Sequence, residues 1–205
     1  MPFLIIGLIV LIIVIAVSSR KGKKDGKPRR RDPDTPEKRA GNRGEVIASN
    51  FIARALDEDD WLFKNVEIIY DGRETELDDV VVNRYGVFII EVKNLTGEIV
   101  GNEDDAEWMK YKTTKRGVTY EKSVPNPLRQ VNREIFLLKS YLEEQGVNVW
   151  VEGYVFFVQG NCPITGERVL EDLDDIKTTV HTPVKCAPGQ KKAERIAEIL
   201  AKCSR

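Results

Sequence analysis

The first pattern in the chain is an unbroken apolar block. Residues Phe3–Val17 read FLIIGLIVLIIVIAV, with Gly7 as the one neutral position. With Met1 and Pro2 the run would extend about 25 Å as a helix, at the short end for a hydrocarbon core of about 30 Å. Ser18, Ser19 and Arg20 can lengthen it by snorkelling. A cleaved signal peptide carries its basic residues before the apolar run. Here the first basic side chain is Arg20, and a cluster follows it. Residues 1–19 are therefore expected to form an uncleaved single-pass anchor, entering the membrane through residues 3–19. The positive-inside rule puts everything after it in the cytoplasm.

After residue 38 the pattern becomes periodic. Ile47, Phe51 and Ala55 recur at helical spacing, flanked by Ala48, Ile52 and Leu56, which predicts a helix over 43–57. Strands are expected at 61–69, 77–83 and 86–93, the last two joined by a short turn at Arg84-Tyr85-Gly86. Both of these strands are apolar on both faces for much of their length, as central strands of a covered sheet are. A shorter strand pair is expected near 96–101 and 107–112. Leu128, Val131, Ile135, Leu138 and Leu142 form a helical stripe over 127–145, which Gly146 ends. A buried strand follows at 149–158, then a less regular stretch, then a helix over 189–202. The fold class is α/β, with an α-β-β-β-α-β order.

Charge divides the chain. Residues 20–39 hold ten Lys/Arg and four acids, leaving 22 basic and 29 acidic side chains on residues 40–205, a balance of −7. The stretch 20–38, rich in Lys, Arg, Pro, Gly and Asp, reads as a disordered tether. Its charges suit anionic headgroups or serve topology alone. An acidic body disfavours tight non-specific nucleic-acid binding, so nucleic-acid chemistry would need a local basic patch and bound cations. Lys110, Lys112, Lys115, Arg116 and Lys122 are the candidate patch, or simply a solvated hairpin. The three cysteines, Cys162, Cys186 and Cys203, are odd in number and widely spaced, which suits reduced thiols better than a disulfide framework or a zinc site. His181 reads as a satisfied surface histidine, and Trp61, Trp108 and Trp150 as core or rim packing. Gly41 and Gly44 are expected to let the chain turn tightly into the first helix.

Acidic residues on apolar strands carry the candidate chemistry. Glu91 and Lys93 lie two apart in FIIEVK and so share a strand face. A charged pair at the end of a buried strand is costly unless it is paired or bound to metal. Asp78 comes from the preceding strand across a tight connection, so its carboxylate can converge on Glu91. Two carboxylates beside a lysine are what a Mg²⁺-dependent phosphodiesterase needs: hard oxygen ligands for the cation, a polarised phosphate and an activated water, and an ammonium near the developing charge. Spacing alone also allows a plain Glu91–Lys93 ion pair, with Asp78 and Asp79 capping a turn.

Four segments, GNRGE at 41–45, TELDDVVVNRYGVFIIEVKNLTGEIVG at 75–101, Trp108 and NPLRQVNREIFLLKSYL at 126–142, together resemble the NERD, or nuclease-related, domain of the PD-(D/E)xK nuclease-like superfamily. The resemblance implies a restriction-endonuclease-like core with a mixed central sheet over 39–158 and a C-terminal extension over 159–205 ending in a helix packed on the domain. It implies Asp78 and Glu91 as metal ligands, Lys93 as the catalytic lysine, Glu45 as an additional acidic site residue and Gln130 as a glutamine beside the lysine. The implied cofactor is Mg²⁺, with Mn²⁺ as a substitute, and the implied substrate is nucleic acid, DNA ahead of RNA. The family usually has histidine where Asp79 stands; an extra acid there could bind a second metal or repel substrate. Two functions compete: a membrane-anchored nuclease, and a non-catalytic module of the same fold that binds nucleic acid or protein at the membrane.

Overall fold

The computed structural model describes residues 36–162, 166 and 168–204, with backbone alone for 36–40 and 42. The expected anchor over residues 1–19 and the expected tether as far as residue 35 lie outside them; residues 36–38, expected to end the tether, are helical instead. Among the described residues no helix is long and apolar enough to cross a membrane.

The first helix, α1 (Pro36–Ala55), starts earlier than its apolar period. Its first two turns bear no stripe, so pattern alone sets the boundary near residue 43. Of its two candidate stripes, Ala48 and Ile52 are fully buried, whereas Ile47 is exposed. Next come β1 (Trp61–Tyr70), β2 (Arg73–Val82) and β3 (Val87–Lys93). Asp71 and Gly72 join β1 to β2 with φ values of 48° and 70°. Two consecutive positive φ values suit the right-handed twist of a tight hairpin and explain the Asp-Gly pair. At the β2–β3 turn Asn83 Oδ1 accepts from the backbone N–H groups of Tyr85 and Gly86, at 2.9 and 3.1 Å.

A three-stranded antiparallel sheet follows, β4 (Glu98–Val100), β5 (Glu107–Thr113) and β6 (Thr119–Pro125). The chain then enters α2 (Pro127–Glu144). Asn126 caps it, accepting from Leu128 N–H at 2.9 Å, and proline stands at the first helical position, where it forfeits no hydrogen bond. After β7 (Val151–Phe157) and the two-residue β8 (Val169–Leu170) come α3 (Leu173–Val180) and α4 (Gln190–Leu200).

The main sheet has the order β1-β2-β3-β7-β8. The first three strands are antiparallel; β7 joins β3 in parallel and β8 joins β7 in parallel, so the sheet is mixed. One face packs Val80, Val82, Val87 and Ile89 against Leu137, Leu138 and Leu142 of α2 and Ala193, Ile196 and Leu200 of α4. The other packs Val81, Phe88, Ile90 and Val92 against Ala48 and Ile52 of α1 and Ile176 and Val180 of α3. Helices on both faces account for the near-continuous apolar runs of β2 and β3. A third cluster, around Trp108, Ile99, Leu128, Val131 and Phe157, ties the small sheet to α2 and β7. Trp108 is fully buried and donates its ring N–H to Asn102 O at 2.8 Å.

Candidate active site

Strand alternation places Glu91 and Lys93 on the α2 face of the sheet, with Val87 and Ile89. The β2–β3 ladder ends there, and the space between the two parted strands and the start of α2 is the candidate cleft. The β2–β3 register runs from Val82↔Val87 only as far as Asp79↔Ile90, while β3 continues along β7 to Lys93↔Phe157. On the other side, the β1–β2 register passes from Lys64↔Asp79 to Val66↔Leu77, stepping over Asn65 and Asp78. Asn65 has a φ of 48°. Phe63 and Val66, three apart, share one core, as do Leu77 and Val80. The side-chain alternation of both strands therefore changes phase at Asn65 and Asp78. Freed from the ladder, Asp78 turns its carboxylate to β3, where Oδ2 accepts from Val92 N–H at 2.9 Å.

Glu91 is 3% exposed. Its Oε1 accepts from Lys93 Nζ at 2.5 Å, and its Oε2 is buried with no hydrogen-bond partner among the described residues. Lys93 Nζ also donates to Gln130 Oε1 at 3.2 Å. Gln130 stands in the first turns of α2, close behind the Asn126 cap, and its Nε2 donates to Glu134 Oε1 at 2.9 Å. A continuous chain of polar contacts thus runs Glu91–Lys93–Gln130–Glu134. Glu134 was not anticipated from the sequence: it is 2% exposed, and its Oε2 too is buried without a partner among the described residues. Its position four residues after Gln130, inside an otherwise apolar helical face, was the available signal.

Electrostatics unite the set. Burial, then Glu91, raises the Asp78 carboxyl to about 8, against the Val92 N–H and Lys93. Burial, then Glu91, raises Glu134 to about 7, against Gln130 and Lys93. Glu45, on α1, is raised first by partial burial and then by Glu76 and Glu91, with Lys93 opposing. A carboxyl pushed up by its neighbours marks excess negative charge in a poorly solvated place, a setting that an added cation relieves.

Gly44 explains how α1 delivers Glu45. A Cβ there would lie 2.4 Å from Asn94 Cβ, so the absent side chain lets the helix lie against the end of β3. Gly44 is inside the helix rather than at its start, which corrects the role expected for it and for Gly41.

Asp79 departs from both roles considered for it. It points to the opposite, α1 face, is 1% exposed, and both its oxygens accept from Ser49 Oγ, at 2.8 and 3.1 Å. Burial raises it to about 6, against Ser49 and Lys64. It neither lines the cleft nor faces a substrate there.

Elsewhere, Lys110 and Lys122 stand directly opposite each other on β5 and β6. His181 is partly buried rather than a surface residue. Its Nδ1 contacts Lys177 O at 2.8 Å and its Nε2 contacts Asp60 Oδ2 at 2.9 Å and Asp57 Oδ2 at 3.4 Å. The ligand atoms of Asp57, Asp60 and His181 lie within 4.8 Å of one another, a closeness that no three acidic groups of the cleft share among the described residues. Asp60 Oδ2 also accepts from Asp57 N–H at 2.9 Å, and the group ties the end of α3 to the loop before β1. Cys186 and Cys203 are free thiols, the first exposed and the second half-buried.

The family model described as NERD, nuclease-related domain, matches residues 40–158. An uncharacterized protein of Bacillus anthracis is 28% identical over 107 residues, 51% of this chain and 48% of that protein. The chain thus spans about half the length of this curated relative. No solved structure matches it significantly.

Proposed function

The chain belongs to the nuclease-related domain family, and from that membership we propose that it is a metal-dependent nuclease, hydrolysing phosphodiester bonds of nucleic acid at the cytoplasmic face of a membrane. DNA is favoured over RNA as substrate, and residues 3–19 are the proposed anchor. The observation that carries the catalytic reading is the buried Glu91 carboxylate, one oxygen on Lys93 and the other without a partner among the described residues.

Hard carboxylate oxygens, clustered, poorly solvated and incompletely paired, fit Mg²⁺ or Mn²⁺. Asp78 and Glu91 would hold the cation, with Glu45 as a further acidic neighbour. When bound, the cation supplies Lewis acidity to the scissile phosphate and lowers the pKa of a bound water. The protein supplies orientation. An ammonium has three donors; Glu91 and Gln130 take two from Lys93, which leaves one for the attacking water or a phosphoryl oxygen. Gln130 fixes the direction of that third N–H. Attack by water at phosphorus breaks one P–O ester bond and yields a phosphomonoester and an alcohol. Lys110, Lys112, Lys115, Arg116 and Lys122 offer local positive charge for backbone phosphates on an otherwise acidic domain.

A second reading, a non-catalytic module that binds nucleic acid or protein, is favoured by the −7 balance of residues 40–205. The two are separated by incubating the purified chain with labelled single- and double-stranded DNA and RNA, in Mg²⁺, in Mn²⁺ and in EDTA. The nuclease reading expects metal-dependent cleavage that Lys93→Ala removes. Binding without cleavage of any substrate supports the module.

A further inference from the structure

We propose that Glu134 is a member of the acidic set that holds the divalent cation, a ligand contributed by α2 directly or through one water. The inference rests on the metal-dependent reading above and extends it to a residue to which the resemblance assigns no role.

Burial is the first ground. A carboxylate on a helix facing a sheet is costly to bury: it stays ionised there only when it is paired or binds a cation, and otherwise takes up a proton. Glu134 is 2% exposed and is only half satisfied: Oε1 has the Gln130 amide, Oε2 has nothing among the described residues. Ion pairing does not account for it, because no basic side chain within salt-bridge reach of Glu134 is found among the described residues, and the cleft lysine is held by Glu91.

Company is the second ground. Glu91 also has a buried, unpartnered Oε2, and Glu91 and Glu134 each face the same Lys93–Gln130 bridge from opposite ends. Two half-satisfied carboxylates in one poorly solvated place repel each other unless positive charge lies between or beside them. Lys93 supplies one charge, already committed to Glu91 Oε1. A divalent cation supplies the remainder and gives both free oxygens a partner. A glutamine bridging lysine and glutamate also makes structural sense here, since its two-ended amide can serve an ammonium and a carboxylate at once.

Mn²⁺ binding to the full chain, purified in detergent, tests this without reference to turnover, by electron paramagnetic resonance of free Mn²⁺. Glu134→Gln keeps the shape and the Gln130 contact but removes the charge, and should weaken Mn²⁺ binding by about tenfold or more. Gln130→Ala, which deletes the bridge and leaves the Glu134 carboxylate, should change Mn²⁺ affinity much less. Equal affinity of wild type and Glu134→Gln overturns the proposal while leaving Asp78 and Glu91 as ligands. A loss in Gln130→Ala as large as in Glu134→Gln overturns it too, because Glu134 would then act only through Gln130. No Mn²⁺ binding by wild type overturns both this inference and the metal-dependent function. Should Glu134→Gln fail to fold, Glu134→Asp draws the carboxylate back by one methylene, and the same comparison applies.

Discussion

Replacing Asp78 by Asn should stabilise the metal-free protein, and more so as pH rises. The Asp78 carboxyl is lifted from 3.8 to about 8 by burial and by Glu91. A group whose folded pKa is raised favours folding while protonated and opposes it once ionised. Its unfavourable contribution is therefore absent below the unfolded value near about 4 and grows as pH climbs to about 8. At about 1.4 kcal/mol per unit, the full shift sets a ceiling of about 6 kcal/mol. Interior sites respond as though more polarisable than dry protein, so a third to a half of that ceiling, roughly 2–3 kcal/mol, is the working magnitude. Asparagine keeps an oxygen for the Val92 N–H and removes the repulsion with Glu91. Urea unfolding in EDTA at about pH 5 and about pH 8 reads the effect: wild-type stability should fall across this interval more steeply than that of the variant. A residual slope should remain in both, from Glu134 and Asp79, whose carboxyls are also raised, to about 7 and about 6. Added Mg²⁺ should stabilise wild type and do little for the variant. Parallel slopes, or a variant less stable than wild type at about pH 8, would refute the reasoning.

Lys93→Ala should lower cleavage by at least about 10²–10³ while far-UV circular dichroism stays unchanged, as loss of one charge-stabilising contact does; retained turnover would remove Lys93 from the mechanism. Ser49→Ala strips a buried carboxylate of the hydroxyl that contacts both its oxygens, and should cost about 1–3 kcal/mol in urea unfolding; a change within about 0.5 kcal/mol would contradict the pairing. Gly44→Ala puts a methyl 2.4 Å from Asn94 Cβ, and the forced shift of α1 should cost about 1–3 kcal/mol in thermal unfolding and displace Glu45. A C-terminal reporter should behave as cytoplasmic and the protein should resist alkaline extraction from membranes; a soluble secreted form beginning near residue 19 would contradict the anchor.

Much of the domain is legible in the sequence because its elements bury strong apolar periods. β1, β3, α2 and α4 fall within a few residues of their expected ranges. The elements that pattern does not reveal lack that signal. β6 carries TYEKSVP and is exposed almost throughout. The eight-residue α3 has only Ile176 and Val180 fully buried, too few for a period. The candidate site is legible as far as strand parity reaches, which puts Glu91 and Lys93 on one face. The same parity puts Asp79 on the other, away from Asp78, its neighbour in the chain. What parity cannot show is the change of phase at Asn65 and Asp78, which frees Asp78 from the ladder. Nor can it show that α2 turns Glu134 inward beside Gln130.

The metal-dependent function depends on where a divalent cation sits. Crystals of the protein soaked in MnCl₂ and measured for anomalous scattering locate Mn²⁺ without assumption about substrate. The expected result is a peak in the cleft between β2, β3 and α2, within about 2.0–2.3 Å of carboxylate oxygens of Asp78 and Glu91. A cleft without a peak, or Mn²⁺ bound instead at Asp57, Asp60 and His181, would contradict it.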